Sequence, residues 1–175
     1  MPGARELHRG FEINILNECS REVSETRLVK VAGQILRDLG FKKAVLSILL
    51  VGDRKMRELN RKYLKHAWST DVLAFAEGKI IKAAKLRKAT RKVPSLRYSA
   101  GAAPDFLGDI ALCIPTIEGQ AEEYGHTFLE ELDYCLCHGI LHLLGHDDKT
   151  RSGHKQMHQK QKQILKHILP SRSGT

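Results

Sequence analysis

The 175-residue sequence lacks long hydrophobic runs, and this excludes several classes of protein. Its longest apolar stretch, residues 45–51, includes one serine and is far shorter than the ~20 residues that a helix needs to cross a bilayer. Residues 1–11 hold no apolar segment either, so we expect no secretory signal. With 5 prolines and 14 glycines, the composition is not that of a low-complexity or collagen-like chain.

Cysteine is scarce and never forms a C-x-x-C pair, since the 4 cysteines are Cys19, Cys113, Cys135 and Cys137. In a chain without a signal, we expect free thiols in a reducing compartment, which predicts a cytoplasmic protein. Because free cysteine usually behaves as a small buried hydrophobe, we interpret these residues as part of the core. The length is typical of one domain. We expect that domain at residues 1–170, with a basic loop at 77–106 and a short tail at 171–175.

Acidic residues are in the minority, 20 against 29 Lys and Arg, and the charges are unevenly distributed. Basic residues are concentrated at 77–106 and from 149 onward, whereas residues 115–134 are acidic. Clustered Lys and Arg beside an ordinary core are typical of a protein that binds a polyanion, with RNA or DNA as the default. The alternative is a solvated surface that pairs with the acidic segment. Tyr98 is the one aromatic residue between positions 77 and 104, so no platform for stacking single-stranded bases is evident there.

Hydrophobic periodicity predicts alternating strands and helices. The predicted strands are residues 11–16, 44–51, 71–75 and 107–113. The predicted helices begin at Ser24, Asp53, Pro115, Thr127 or Phe128, and Gly153, and some further helix is expected around residues 80–92. This alternation is typical of an α/β or α+β fold in which helices pack against a small sheet.

Residues 138–148, with the sequence HGILHLLGHDD, contain a dense group of metal-binding residue types. Positions four apart lie on one face of a helix, so His138 and His142 can direct both imidazoles at one ion. Gly145 can end this helix with a positive φ, and the resulting turn can bring Asp148 to the same ion. Two imidazoles and one carboxylate, with a fourth position open, are the pattern of a catalytic zinc site.

The third ligand has alternatives within the same region. His146, Asp147 or His154 could replace Asp148, and Asp147 could instead accept a hydrogen bond from a ligand histidine. A pair of histidines four apart also occurs by chance in helices. We interpret the remaining histidines as solvent-facing: His8, His66, His126, His158 and His167.

Position 139 separates this motif from that of the zinc peptidases. Those enzymes contain the motif H-E-x-x-H, in which the glutamate is the general base. Gly139 stands at that place here, so no side chain can be assigned as the catalytic base. The metal must then lower the pKa of its water largely unaided, toward ~7. A zinc-dependent hydrolase that acts on a phosphodiester fits this motif and the basic surface better than a protease does.

These segments resemble the YbeY family of metal-dependent endoribonucleases, which are ribosomal RNA maturation factors. Residues 138–148 match the family's H-G-x-L-H-L-x-G-[Y/H]-D-H except at the last position. Residues 59–75 are similar to its L-N-x-x-[Y/F]-R-x-x-D-x-P-T-D-V-L-S-F, and residues 107–110 to its L-G-D-I strand. Residues 120–126 resemble the segment that leads to the family's metal helix.

The resemblance implies a small mixed sheet packed with helices, and one Zn²⁺ per chain in a surface cleft next to a zincin-like metal helix. It implies single-strand-specific RNA cleavage, processing of the 3′ end of the small-subunit ribosomal RNA, and ribosome quality control. The expected partners are ribosomal RNA and the small ribosomal subunit. A metal-stabilised ribosome assembly factor without catalytic activity is the alternative.

The sequence departs from the family pattern at positions that matter for chemistry. The family's third ligand is usually His, whereas this chain has Asp148. In the second motif, the family's Arg after the aromatic residue is replaced by Leu64, its Asp by Ala67 and its Pro by Ser69. An aspartate ligand should make the bound water less acidic. Leucine cannot clamp a phosphate as arginine can, so Lys62 or Lys65 is the expected substitute.

The basic segment is longer than the family's usual connection. We expect it to contact RNA or the ribosome, and the predicted contact residues are Arg87, Lys88, Arg91 and Lys92.

Overall fold

A computed structural model describes residues 5–8, 10–76, 79–80 and 105–168 of the protein. The strands are β1 (Arg5–His8), β2 (Phe11–Asn17), β3 (Ala44–Val51), β4 (Val72–Ala76), β5 (Lys79–Ile80) and β6 (Asp105–Cys113). The helices are α1 (Glu25–Asp38), α2 (Asp53–Leu59), α3 (Ile114–Tyr124), α4 (Phe128–Leu143) and α5 (Arg151–Leu165). A single π-helical turn, Asn60–Leu64, continues α2.

The strands form one mixed sheet in the order β1-β2-β3-β6-β4-β5. β2, β3 and β6 run parallel, whereas β1, β4 and β5 pair antiparallel with their neighbours. β6 therefore lies between β3 and β4, although it follows both in the sequence. This arrangement confirms the predicted fold class of a small mixed sheet packed with helices.

Alternation along the central strands divides the core into two layers, because successive side chains of a strand point to opposite faces. Ile48, Ile110 and Ala74 belong to the main core, which includes side chains of α1, α4 and α5. Their neighbours Leu73 and Ala111 belong to a smaller cluster with residues of α2. The sheet thus separates the cluster with α2 from the main core, which also includes Ile114 and Ile117 of α3 and holds most of the buried apolar side chains.

Polar side chains fix where the helices begin. The Ser24 hydroxyl accepts a hydrogen bond from the backbone N–H of Arg27 at the start of α1. Thr127 and Glu130 form a reciprocal capping box at the start of α4, in which each side chain accepts a hydrogen bond from the other's backbone N–H. These bonds satisfy backbone donors that have no partner within the helix. The predicted helix starts at Ser24 and Thr127 are confirmed.

The other strands and helices predicted within the described residues are confirmed with small shifts of their ends, and two details differ. The helix expected to begin at Asp53 is capped instead by Gly52, and its regular part ends at Leu59. One carboxylate oxygen of Asp53 accepts hydrogen bonds from the Ser69 hydroxyl at 3.1 Å and from the Cys113 thiol at 3.2 Å. Its carboxylate is thus bound by partners on the loop before β4 and at the end of β6, and no side chain caps the helix. The helix expected around residues 80–92 lies almost entirely outside the described residues. Most of the predicted basic loop lies outside the described residues.

No helix in residues 5–8, 10–76, 79–80 and 105–168 is long and apolar enough to span a membrane.

Candidate metal centre and its cleft

The last turn of α4 and the loop after it bring three potential metal ligands together. The ring nitrogens of His138 and His142 and a carboxylate oxygen of Asp148 all lie within 4.8 Å of one another. Nε2 of His138 is 2.9 Å from Nε2 of His142, and Oδ2 of Asp148 is 3.5 and 3.9 Å from these two nitrogens. In the described part of the chain, this is the cluster that could hold a metal ion.

The turn that ends α4 at Gly145 brings Asp148 close to the two histidines, as expected from the sequence. Gly145 adopts a φ of 89°, a conformation that side chains other than glycine's rarely tolerate. Its N–H donates to the carbonyl of His142 at 3.0 Å, and the N–H of His146 donates to the carbonyl of Leu141 at 3.0 Å. This pair of bonds is a Schellman motif, which satisfies the last carbonyls of the helix and reverses the chain.

The turn also sets the protonation of His142. Nδ1 of His142 lies 3.0 Å from the backbone carbonyl of His146. Because a carbonyl can only accept, Nδ1 must carry the hydrogen, and the neutral ring then presents a free lone pair on Nε2. That lone pair points toward His138 and Asp148, as required of a metal ligand whose other nitrogen is held by the protein.

The three positions fit a small divalent cation. Tetrahedral zinc with bonds of about 2.0–2.1 Å would place its ligand atoms about 3.3 Å apart. The observed separations of 2.9, 3.5 and 3.9 Å bracket that value. Burial, reinforced by the adjacent His138, lowers the pKa of His142 below its usual value, and Asp148 opposes this shift. A neutral imidazole is the form that binds metal.

Gly139 allows α4 to lie against the sheet at this point. A Cβ atom built on it would meet Cγ2 of Val72 at 3.0 Å and two atoms of Ile110 at 3.1 and 3.2 Å. Position 139 therefore faces β4 and β6 and has no space for a glutamate. The absence of the peptidase base follows from the close packing of helix and sheet.

The cluster opens into a cleft of about 350 Å³. One wall is formed by α4 and the loop that follows it, and the other comes from the end of the π-helical turn, the loop before β4, and β4 itself. The lining residues are Asn60, Leu64, His66, Trp68, Thr70, Asp71, Val72, Leu73, Ala74, His138, His142, Asp148 and Lys149. Most of the second wall lies in the segment at 59–75 that resembles the family's second motif.

Two of these lining residues form an aromatic pair. The rings of His66 and Trp68 are stacked, with centroids 4.3 Å apart and planes 20° from parallel. Trp68 is 64% exposed, although tryptophan is usually well covered in folded proteins. The sequence reading placed no stacking surface in the basic segment and interpreted His66 as solvent-facing. The pair lies in another segment, and His66 is half-buried in the cleft wall.

Hydrogen bonds of buried and half-buried polar residues hold the second wall in place. The side-chain amide of Asn60, which is 1% exposed, donates to the backbone carbonyl of Trp68 at 2.7 Å. Asp71 accepts hydrogen bonds from the N–H of Val72 at 2.8 Å and from the hydroxyl of Thr70 at 3.1 Å. Sequence reasoning assigned no role to Asn60 or Asp71. Both residues lie in the segment at 59–75 that resembles the family's second motif, and this position was the sequence signal that could have identified them.

The two lysines that were expected to replace the family's arginine do not line the cleft. Leu64 lines the cleft, but Lys62 and Lys65 are absent from its lining. Nζ of Lys62 lies instead 5.0 Å from the ring of Tyr63. Lys149, directly after Asp148, is the one lysine among the described lining residues. A phosphate contact by either Lys62 or Lys65 therefore stays a prediction.

The alternative third ligands are not part of the cluster. His146 contributes its backbone carbonyl to the His142 ring, which is the role that had been considered for Asp147. Oδ1 of Asp147 accepts a hydrogen bond from the N–H of Lys149 at 3.0 Å. The predicted RNA contacts lie outside the described residues: Arg87, Lys88, Arg91 and Lys92.

Comparisons with known proteins agree with the sequence motifs. The sequence model of the family described as Endoribonuclease YbeY matches residues 14–169. Endoribonuclease YbeY of Bacillus mycoides is 37% identical over 122 residues, 70% of this chain and 71% of that protein. Endoribonuclease YbeY of Bacillus cytotoxicus is 38% identical over 125 residues, 69% of this chain and 70% of that protein.

The fold has a counterpart among solved structures. The solution structure of a Thermotoga maritima protein aligns with 93% of this chain and 99% of its own, with a TM-score of 0.54 and 19% identity. This similarity shows a shared fold. The family match and the identity to the two Bacillus proteins also show the family, since they extend over most of the chain. The protein belongs to the YbeY family of endoribonucleases and is a hydrolase.

Proposed function

We propose that this protein is a single-strand-specific endoribonuclease that requires one Zn²⁺ ion, held by His138, His142 and Asp148. Its substrate is the 3′ region of the small-subunit ribosomal RNA, and it acts with the small ribosomal subunit in the cytoplasm, in rRNA maturation and ribosome quality control. The observation that supports this most directly is the convergence of two imidazoles and a carboxylate in a cleft.

Each ligand residue has a distinct task. His142 is kept in the correct tautomer by the carbonyl of His146, and His138 sits one helical turn earlier on the same face. Asp148 adds the negative charge that a dication needs. A bound ion would supply Lewis-acid chemistry, by polarising a phosphoryl oxygen and making water more acidic. We assign no side chain as general base.

Lys149 is suited to neutralise the phosphate. It follows Asp148 in sequence and lines the same cleft, so its ammonium can approach a phosphodiester placed over the cluster. Lysine binds phosphate as a point charge rather than as a bidentate fork, which makes it a weaker clamp than the arginine of the family pattern. We expect Lys149→Ala to reduce cleavage about tenfold or more. Lys155→Ala, on the exposed side of α5, is the matched control.

The cleft favours a flexible strand over a duplex. The target phosphodiester has to enter a space of about 350 Å³ beside the histidines. A single strand can bend its backbone into such a space, whereas a duplex holds its phosphates on a rigid helix and is recognised mainly by its shape. Single-strand preference is therefore the specificity that this geometry supports.

The test is cleavage of a single-stranded fragment from the 3′ region of the small-subunit ribosomal RNA. Wild type, His142→Ala and Asp148→Asn are compared with and without a chelator, with bound metal counted by elemental analysis. Asp147→Asn is the matched control, because Asp147 is adjacent to Asp148 but lies outside the cluster. We expect cleavage that the chelator and the ligand substitutions abolish and the control retains. Equal cleavage by wild type and His142→Ala would contradict the proposal.

Leu64 supports a second candidate function. It lines the cleft at the place of the family's arginine and supplies no charge. A protein that keeps the metal for stability and assists assembly of the small subunit without cutting RNA would tolerate this replacement. Metal-loaded wild type that binds the subunit but leaves the RNA intact would establish this alternative.

A further inference from the structure

An exposed tryptophan lies at the cleft, and the described part of the chain leaves most of its surface uncovered. Trp68 is 64% exposed, the largest exposed fraction among the large hydrophobic side chains of the described residues. Exposing so much apolar ring surface forgoes the burial that normally stabilises a tryptophan. The feature therefore points to a partner that covers the ring when it binds.

Two hydrogen bonds and one ring contact hold the segment around Trp68. Its carbonyl accepts the buried amide of Asn60 at 2.7 Å. The next residue, Ser69, donates its hydroxyl to Asp53 at 3.1 Å. One face of the indole is backed by the parallel ring of His66. The exposed ring is thus kept in place before any ligand arrives, and little conformational entropy is lost when something stacks on it.

The position of the ring restricts what that partner can be. Trp68 lines the same cleft as His138, His142 and Asp148, so a ligand on the indole lies next to the proposed reaction centre. The flanking basic side chains of Arg61, Lys62 and Lys65 are exposed. A flat aromatic group attached to a polyanionic backbone matches both features, and this is the chemistry of a nucleobase in an RNA strand.

We propose that Trp68, supported by His66, is the stacking surface for an unpaired nucleobase next to the phosphodiester that is cut. Bases in a duplex are already stacked on their neighbours, so only an unpaired base can use the ring. The residue pair thereby contributes to the preference for single strands. This inference rests on the proposed function, because it assigns a role to a surface beside the same site.

The tryptophan provides its own reporter, since the protein contains 1 tryptophan in total. Metal-loaded protein is titrated with a short, end-labelled 2′-O-methyl oligonucleotide, and gel electrophoresis after the titration verifies that the strand is still intact. Anisotropy of the label measures binding, and the intrinsic emission measures stacking on Trp68. We expect the single strand to bind and quench the tryptophan emission, and the same oligonucleotide in a duplex to quench it far less.

Variants separate stacking from charge. Trp68→Ala should weaken single-strand binding by about tenfold, and Trp68→Phe, which keeps a ring, by less than about threefold. The dependence of binding on salt should be unchanged in Trp68→Ala, because the indole carries no charge. Tyr124→Ala is the control, since Tyr124 is 57% exposed but does not line the cleft.

Two outcomes overturn the inference in distinguishable ways. In the first outcome, wild type binds and cuts single-stranded RNA, its tryptophan emission does not change on binding, and Trp68→Ala binds as tightly as wild type. The stacking role is then wrong and the proposed function stands. If wild type neither binds the oligonucleotide nor cuts RNA, both are wrong.

Discussion

Arg27 on α1 holds the buried carboxylate of Asp133 on α4 with two parallel hydrogen bonds. Nη1 donates to Oδ1 at 2.8 Å and Nη2 donates to Oδ2 at 2.6 Å. The side chain of Asp133 is fully buried, whereas that of Arg27 is 32% exposed. Burial raises the pKa of Asp133, and the Arg27 guanidinium opposes that shift. This pair ties α1 to the helix that carries both histidines of the cluster.

Arg27→Met should destabilise the fold by about 2–3 kcal/mol, because it leaves a buried charge without a partner. This loss of stability is smaller than the ~3–5 kcal/mol typical of breaking a fully buried ion pair, because water can reach the partly exposed arginine position. Removing Arg27 raises the pKa of Asp133 further, so the penalty should shrink as the pH falls and Asp133 becomes protonated. Urea unfolding at pH 7 and pH 4.5 measures both effects.

A double substitution is the control for this pair. Arg27→Met with Asp133→Leu replaces both charges by apolar side chains and should recover most of the lost stability. A double variant as unstable as the single one would show that shape, rather than charge, dominates at this contact.

Gly139→Val should destabilise the protein by about 2–3 kcal/mol, since the added atoms would overlap Val72 and Ile110 and push α4 away from the sheet. Gly119 in α3 is the matched position, because a Cβ there would meet nothing within 4 Å. The same change at Gly119 should alter stability by less than about 0.5 kcal/mol. Thermal or urea unfolding compares the two variants. Equal effects at both sites would contradict the packing argument.

The thiols should differ sharply in reactivity. Burial raises the pKa of Cys137 to about 12, and it also raises the pKa values of Cys113 and Cys135. These thiols stay protonated at pH 8, and the thiolate is the reactive form. Cys19 is half-buried, near the protein surface. Mass spectrometry after iodoacetamide treatment should show one rapid adduct in the native protein and four after unfolding. Rapid modification of a second thiol in the native state would contradict this expectation.

Metal binding should stabilise the fold through the cluster alone. Zn²⁺ at about 100 times its dissociation constant adds about 2.7 kcal/mol, which for a protein of this size raises the unfolding midpoint by about 5–10 °C. We expect this shift in wild type and in Asp147→Asn, and its loss in His138→Ala and His142→Ala. Calorimetry with and without a chelator provides the measurement. A full shift in His142→Ala would place the ion elsewhere.

Local patterns predicted one half of the cleft, and tertiary contacts determine the other half. The three clustered residues are close in sequence, and the helical period together with Gly145 is sufficient to predict their convergence. The opposite wall comes from residues 60–74, which no local pattern connects to α4. The role of Asp53 was misread for the same reason, because its partners Ser69 and Cys113 come from distant segments. The exposure of Trp68 likewise depends on which neighbours fail to cover it.

The position of β6 between β3 and β4 has a consequence for synthesis of the protein. β4, which lines the cleft, pairs only with β5 and β6 among the described strands, and β6 comes later in the chain. While the ribosome is adding residues, β2, α1 and β3 can assemble first, since they adjoin in sequence and β2 and β3 pair directly. β4 can join these strands only through β6, and the histidines follow later still on α4. The complete cleft can therefore form only after the segment through Asp148 has emerged, whereas β2, α1 and β3 can assemble before that point.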